Sequence, residues 1–327
     1  MFPHVRLRRL RRQKIIPLLA ETHIGKDDLI APLFFDENIA EPVPILAMPG
    51  QNRWPVSMAA EVVTRMRTAG IRAVLLFGIP SVKDAEASGA YAPEGVIQQV
   101  IRAMKKTCPD MVIITDLCAC EYTDHGHCGY VGECCDGPNL LNDASLEMMQ
   151  RIAVSQAEAG ADIVAPSCML DGMVAAIREA LDDYGHQEVL IMSYSSKFAS
   201  ALYGPFREAA GSGFSFGDRT GYQAPVSNRR EAYRESEQDA AEGADILMVK
   251  PAGWFGDVIT DIKQLGLPVA AYQVSGEYSM IRAATEMGWL DERRVVMESL
   301  VSLKRAGADL IITYFAEDVC RWLSEHE

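Results

Sequence analysis

Residues 145–167 read SLEMMQRIAVSQAEAGADIVAPS, and this stretch decides the fold. Its first part places apolar side chains three and four residues apart, as an amphipathic helix does. Gly160 follows, at the point where helices commonly end because glycine enters the left-handed region without strain. Then comes a short, nearly continuous apolar run, the pattern of a parallel strand buried on both faces. The junction triplet Gly-Ala-Asp occurs at 160–162, 243–245 and 307–309, each time between a helical pattern and an apolar run, and Gly70 plays the same part in AGIRAVLLF.

Working outward, eight such runs appear: DLIAPLFF (28–35), AVLLFGIP (73–80), VIITDLCA (112–119), DIVAPS (162–167), VLIMSYSSK (189–197), DILMVKPA (245–252), PVAAYQVS (268–275) and DLIITYFA (309–316). Eight strands alternating with helices predict an α/β fold, a (β/α)8 TIM barrel. A doubly wound open sheet is the alternative, but no GxGxxG follows the first run. No low-complexity linker divides the chain. The expected organisation is an N-terminal arm over 1–20 for subunit contacts and a catalytic barrel over 21–327.

The bulk properties narrow the function. The chain has 327 residues, 49% of them apolar, which is ample for a large core. A net charge of -14 argues against nucleic acid, which needs a basic face. No apolar run approaches the roughly 18–20 residues of a membrane helix. The start, MFPHVRLRRLRRQKIIPLLAE, is basic, but its apolar run at 15–20 is short for a secretion signal and no small-residue cleavage pattern follows, so a surface arm is expected. Eight cysteines are too few for a disulfide scaffold, and a reducing, cytoplasmic compartment is expected.

Barrel active sites lie at the C-terminal ends of the strands. Those ends carry Asp116, Cys118 and Cys120 on the third run, Ser167 on the fourth, Lys197 on the fifth, Lys250 on the sixth, Ser275 on the seventh and Tyr314 on the eighth. Polar groups at six consecutive strand ends point to an enzyme. The stretch DLCACEYTDHGHCGYVGECC (116–135) concentrates five cysteines and two histidines. Alternation on a strand puts Asp116, Cys118 and Cys120 on one face, and Cys128 arrives from the following loop. Three thiolates would leave the fourth position of a zinc ion open, as catalytic sites do; plain buried cysteines are the alternative. His125 and His127 fit an outer role as well as ligation, and Cys134 and Cys135 receive no role.

Lys197 and Lys250 each end an apolar strand, and the fifth and sixth strands should be neighbours. Two ammonium groups about 4 Å apart repel by ~4 kcal/mol at an effective dielectric near 20. Burial pushes the same way, so at least one amine should be neutral near pH 7 and able to form a Schiff base; salt-bridging of each lysine to an acid is the alternative. Residues 198–223 are glycine-rich and aromatic, follow a strand end and carry Arg207 and Arg219. They read as a lid whose arginines suit carboxylates.

DLCACEYTDHGHCG, SYSSKFAS, YGPFREA, GDRTGYQ, NRREAYRES, LMVKPA, YQVSGEY and ITYF together resemble the porphobilinogen synthase (5-aminolaevulinate dehydratase) family, from about Arg6 to Trp322. The resemblance implies condensation of two 5-aminolaevulinate molecules to porphobilinogen for haem and other tetrapyrroles. It implies that Lys250 holds one substrate as a Schiff base and that Lys197 can form an imine with the other. Cys118, Cys120 and Cys128 match the zinc-dependent branch. Arg207, Arg219 and Gln223 match contacts to one substrate carboxylate, Ser275 and Tyr314 contacts to the other. Asp116 and Ser167 match polar groups near the substrate amine, Glu235 matches an allosteric magnesium site, and the basic start matches an arm that embraces a neighbour in a homo-oligomer, commonly an octamer.

Some positions depart from the family pattern. Cys168 stands where many relatives have an acid, Met173 replaces a frequent arginine, and Asp124 stands where the zinc branch often has serine. The vicinal Cys134–Cys135 pair is unusual. Two other functions compete. A Schiff-base aldolase on the same barrel needs one lysine and no thiolate site, so the cysteines count against it. A catalytically silent zinc-binding barrel is opposed by the two lysines and the lid arginines.

Overall fold

The computed structural model describes residues 4–134, 137–211, 213 and 219–325. Eight parallel strands close into a barrel: β1 Leu29–Asp36, β2 Ala73–Ile79, β3 Val112–Leu117, β4 Ile163–Pro166, β5 Leu190–Lys197, β6 Ile246–Lys250, β7 Val269–Gln273 and β8 Leu310–Thr313. They pair in sequence order, and β8 pairs back with β1. The expected (β/α)8 barrel is the observed fold.

The recurrent triplet has a structural cause. Gly160 and Gly243 take φ of 108° and 106° at the ends of helices Asn142–Ala159 and Arg229–Glu242, where a side chain would be strained. The aspartate that follows then clasps the start of the preceding strand. Ile113 N–H donates to Asp162 at 2.7 Å, Ile191 N–H to Asp245 at 2.8 Å and Val269 N–H to Asp309 at 2.8 Å. Each aspartate N–H returns a bond to that same residue's carbonyl. Neighbouring strands are thereby aligned at their N-terminal ends, and their C-terminal ends reach the opposite face in a fixed stagger.

The outer helices bury one stripe each. In the helix Val96–Thr107 the buried side chains include Val96, Ile97, Val100, Ile101 and Met104, at helical spacing. Residues 4–20 form two short 3-10 turns, Leu7–Arg11 and Ile16–Leu19, that bury nothing. Among the described residues no helix is long and apolar enough to cross a membrane.

Two details differ from the strict strand reading. β3 ends at Leu117, so Cys118 and Cys120 lie in the turn beyond it and alternation along a strand does not place them. Tyr314 likewise follows β8 rather than lying within it. An antiparallel hairpin, Val131–Cys134 with Gly137–Leu140, succeeds the cysteine loop; of the Cys134–Cys135 pair, Cys135 lies outside the described residues, as do 212 and 214–218 of the lid stretch.

Candidate active site

The C-terminal mouth holds a small, nearly filled cavity. Asp116, Cys120, Glu121, Ser167, Lys197 and Lys250 line it from the barrel, and Tyr203, Phe206, Arg207 and Arg219 from the loop after β5. A larger cleft on the outside, lined by Tyr91, Glu147, Arg151 and Asp183 among others, contains none of the strand-end groups.

Lys197 and Lys250 are direct partners across β5 and β6, and both are buried. Lys250 Nζ stands in a cage of rings, 4.4 Å from the centroid of Tyr272, 4.9 Å from Tyr194, 5.1 Å from Phe206 and 5.5 Å from Tyr203. Burial, and then the Lys197 charge, push its pKa down to about 7. Lys197 Nζ donates to the Ser167 carbonyl at 2.5 Å. Burial pulls its pKa down, but the thiols of Cys128 and Cys118 and the Asp116 carboxyl outweigh that, and the net shift is upward. Adjacent lysines are thus driven to opposite protonation states, as mutual repulsion requires.

The three thiols come together. The Sγ atoms of Cys118, Cys120 and Cys128 lie within 4.8 Å of one another, all buried, with Cys118 and Cys120 at 3.2 Å. S–H donation from its neighbours holds the Cys118 thiol well below its ordinary value, while Cys120 and Cys128 are pushed up. One negative charge shared by three soft donors is a set that fits a soft dication such as zinc; magnesium takes oxygen ligands. The lid fastens this loop: Arg219 Nη2 donates to the Gly126 carbonyl at 3.0 Å, and His127 Nδ1 lies 3.2 Å from Tyr222 Oη. His127 is buried against the lid rather than among the thiols.

The remaining expected residues separate into two sets. Asp116 and Ser167 face the cavity, 3.4 Å apart. Burial and the Cys118 charge raise Asp116 to about 6, the two lysines opposing. Arg207 and Arg219 face the cavity from the lid. Gln223 is buried. Ser275 begins the helix Ser275–Glu286, where its Oγ accepts from Phe206 N–H at 3.0 Å and donates to the Leu202 carbonyl. Tyr314 Oη is 3.1 Å from Tyr272 Oη. Ser275 and Tyr314 therefore sit behind the aromatic cage. Glu235 lies on the outer helix Arg229–Glu242, away from the cavity, where burial and then Asp171 raise its pKa.

Sequence reading missed Glu121 and Tyr194. Glu121 is buried in the cavity wall with Oε2 3.2 Å from Cys120 Sγ, and burial, with Cys118 and Asp116, lifts it to about 8. An acid directly after the second cysteine was the available signal. Tyr194 and Lys197 should face opposite sides by alternation. The pairing of β5 with β6 carries a bulge, with Leu247 opposite Ser193 and Val249 opposite Ser196. The extra residue turns both inward, and Lys197 Nζ is 5.4 Å from the Tyr194 ring.

The profile of a family described as Delta-aminolevulinic acid dehydratase matches residues 4–322. A Synechocystis protein named delta-aminolevulinic acid dehydratase is 50% identical over 327 residues, covering 99% of this chain and all of its own. One of the same name from Archaeoglobus fulgidus is 53% identical, covering 98% and 99%. The chain belongs to the delta-aminolevulinic acid dehydratase family. A solved structure of the Toxoplasma gondii delta-aminolevulinic acid dehydratase (porphobilinogen synthase), in complex with the reaction product porphobilinogen, superposes with a TM-score of 0.96 at 39% identity, covering all of this chain and 93% of that one.

Proposed function

We propose that this member of the family condenses two molecules of 5-aminolaevulinate to porphobilinogen with loss of two waters, in tetrapyrrole biosynthesis. The observation that carries the proposal is the Lys250–Lys197 pair, in register on adjacent strands, with the Lys250 amine lowered to about 7 beside a three-thiol cluster.

Neutral Lys250 attacks a substrate ketone. The carbinolamine loses water and leaves an imine, which withdraws electrons from the neighbouring carbon. The ring cage excludes water from that bond. Asp116, near pKa 6, is suited to exchange protons close to neutral pH. Lys197 stays cationic at rest, held by the Ser167 carbonyl, and becomes an imine donor only on passing a proton on. Arg207 and Arg219 give a cationic wall for a carboxylate, with Gln223 behind it. Ser275 and Tyr314 would serve the second carboxylate after the helix Gly204–Ala210 shifts, since Ser275 now caps that segment.

Cys118, Cys120 and Cys128 would hold a zinc ion. Zinc there supplies Lewis acidity for the second substrate's carbonyl or amine. Magnesium at Glu235 would act at a distance as a stimulator. The exposed apolar side chains of the arm, among them Leu7, Leu10 and Leu18, suit packing against another subunit, in an assembly such as an octamer. The free buried thiols suit a reducing cytoplasm.

The test is borohydride trapping with 5-aminolaevulinate, read by peptide mass spectrometry, on zinc-loaded and chelated protein. The expected result is a reduced adduct on Lys250, with porphobilinogen formed only with zinc. Neither adduct nor pyrrole under either condition would reject the reading.

A further inference from the structure

We propose that Cys168 is a fourth thiol donor to the metal held by Cys118, Cys120 and Cys128, so that the resting ion is enclosed by four sulfurs. This rests on the three-thiol metal reading above.

Cys168 Sγ lies 3.7 Å from Cys118 Sγ. Around a tetrahedral ion with sulfur bonds of about 2.3 Å, neighbouring sulfurs stand about 3.8 Å apart. The fourth thiol is therefore one tetrahedral edge from Cys118, but it stands outside the set of sulfurs lying within 4.8 Å of one another, so a four-sulfur shell requires the cluster to draw in around the ion. The barrel puts it there. Ser167 N–H donates to the Leu117 carbonyl at 3.1 Å, which ties the end of β4 to the end of β3. Met169 then takes φ of 58°, a left-handed conformation that residues other than glycine rarely adopt, and carries the chain away just after Cys168.

The other neighbours of this thiol are weak acceptors: Met149 Sδ at 3.5 Å and the Leu117 carbonyl at 3.9 Å. Neither competes with a metal for a thiolate. Cys168 is fully buried and does not line the cavity, whereas Cys120 and Glu121 do. The fourth position is thus contested from two sides, by Cys168 from behind and by the Glu121 carboxylate or water from the cavity. Four sulfurs make a closed site, and three with a light atom an open one. In this chain the open form needed for substrate arises when Cys168 gives up its place.

X-ray absorption at the zinc edge decides the matter on the zinc-loaded full-length protein without substrate, alongside Cys168→Ser. Four sulfurs in the parent, with one lost and a light atom gained in Cys168→Ser, is the expected result. Three sulfurs and one oxygen or nitrogen in the parent overturns the proposal and leaves the three-thiol site standing. Fewer than three sulfurs, or no bound zinc, overturns both. The parent spectrum is decisive even if the variant does not fold.

Discussion

Replacing Lys250 with methionine tests the electrostatics of the site in a way that activity alone does not. Burial and the Lys197 charge lower this amine from 10.5 to about 7. Between those values the unfolded chain binds a proton that the folded protein does not, so stability rises with pH across the window and the penalty is complete below pH 7. The span of 10.5 minus 7, at about 1.4 kcal/mol per pH unit, gives a penalty on the order of 5 kcal/mol. Methionine has similar length, no charge, and packs well against rings. In urea unfolding at pH 6, Lys250→Met should be more stable than the parent by about 2–5 kcal/mol. The gap should shrink steadily as the pH rises towards 10. The same shift leaves half of the amine neutral at pH 7, where an ordinary lysine is neutral in about one molecule in 3,000. The rate of imine formation with levulinate, quenched by borohydride and read at Lys250, should therefore level off above pH 7. A variant destabilised equally at pH 6 and pH 10, with a labelling rate still climbing tenfold per unit at pH 9, would refute the reasoning.

Lys197→Met should raise the Lys250 pKa, because the Lys197 charge is one of the two causes that lower it; the levulinate profile should move to higher pH by about one to two units, and an unmoved profile would assign the depression to burial alone. Asp245→Ala removes the acceptor of the Ile191 N–H at the start of β5, with an expected loss of about 1–3 kcal/mol in urea unfolding at unchanged zinc content. Glu235→Ala should keep basal activity and lose its response to magnesium; an equal response in both proteins removes that site. Deleting residues 1–20 should shift sedimentation from an assembly larger than a dimer to smaller species, and an active monomeric parent would contradict the role given to the arm.

The barrel was legible because every strand shows as an apolar run and four of them, β2, β4, β6 and β8, also follow a glycine-closed helix. Gly-Ala-Asp is visible three times since one clasp between neighbouring strands is built three times. The lysines and cysteines were legible for a related reason: charged or metal-binding groups on apolar strand ends have few structural explanations. Period-two alternation failed where the backbone left it. The bulge in β5 turned Tyr194 inward, and Cys118 and Cys120 sit in a turn. Glu121 drew no reading from the sequence, and its burial in the cavity wall follows from the fold rather than from any local pattern. The engagement of Ser275 by Phe206 joins residues 69 apart, a pairing that no local pattern encodes.

The two lysines show how a barrel makes unlike reagents from the same side chain. Lys250 is enclosed by four rings that keep water out and faces its lysine neighbour, and the loss of water and the repulsion together outweigh the attraction of the ring faces for a cation. Lys197 points towards the carbonyl of Ser167, the Asp116 carboxyl and the thiols. Three thiolates around a divalent ion would carry a net charge of about one negative, the same as the single charge the empty cluster shares, so binding the metal leaves this pull in place. The asymmetry therefore survives loading of the site. In the proposed condensation, two copies of one substrate would then meet a neutral amine on one side and a cationic one beside the thiols on the other. That difference, rather than any difference between the substrate molecules, would assign them separate roles in that condensation.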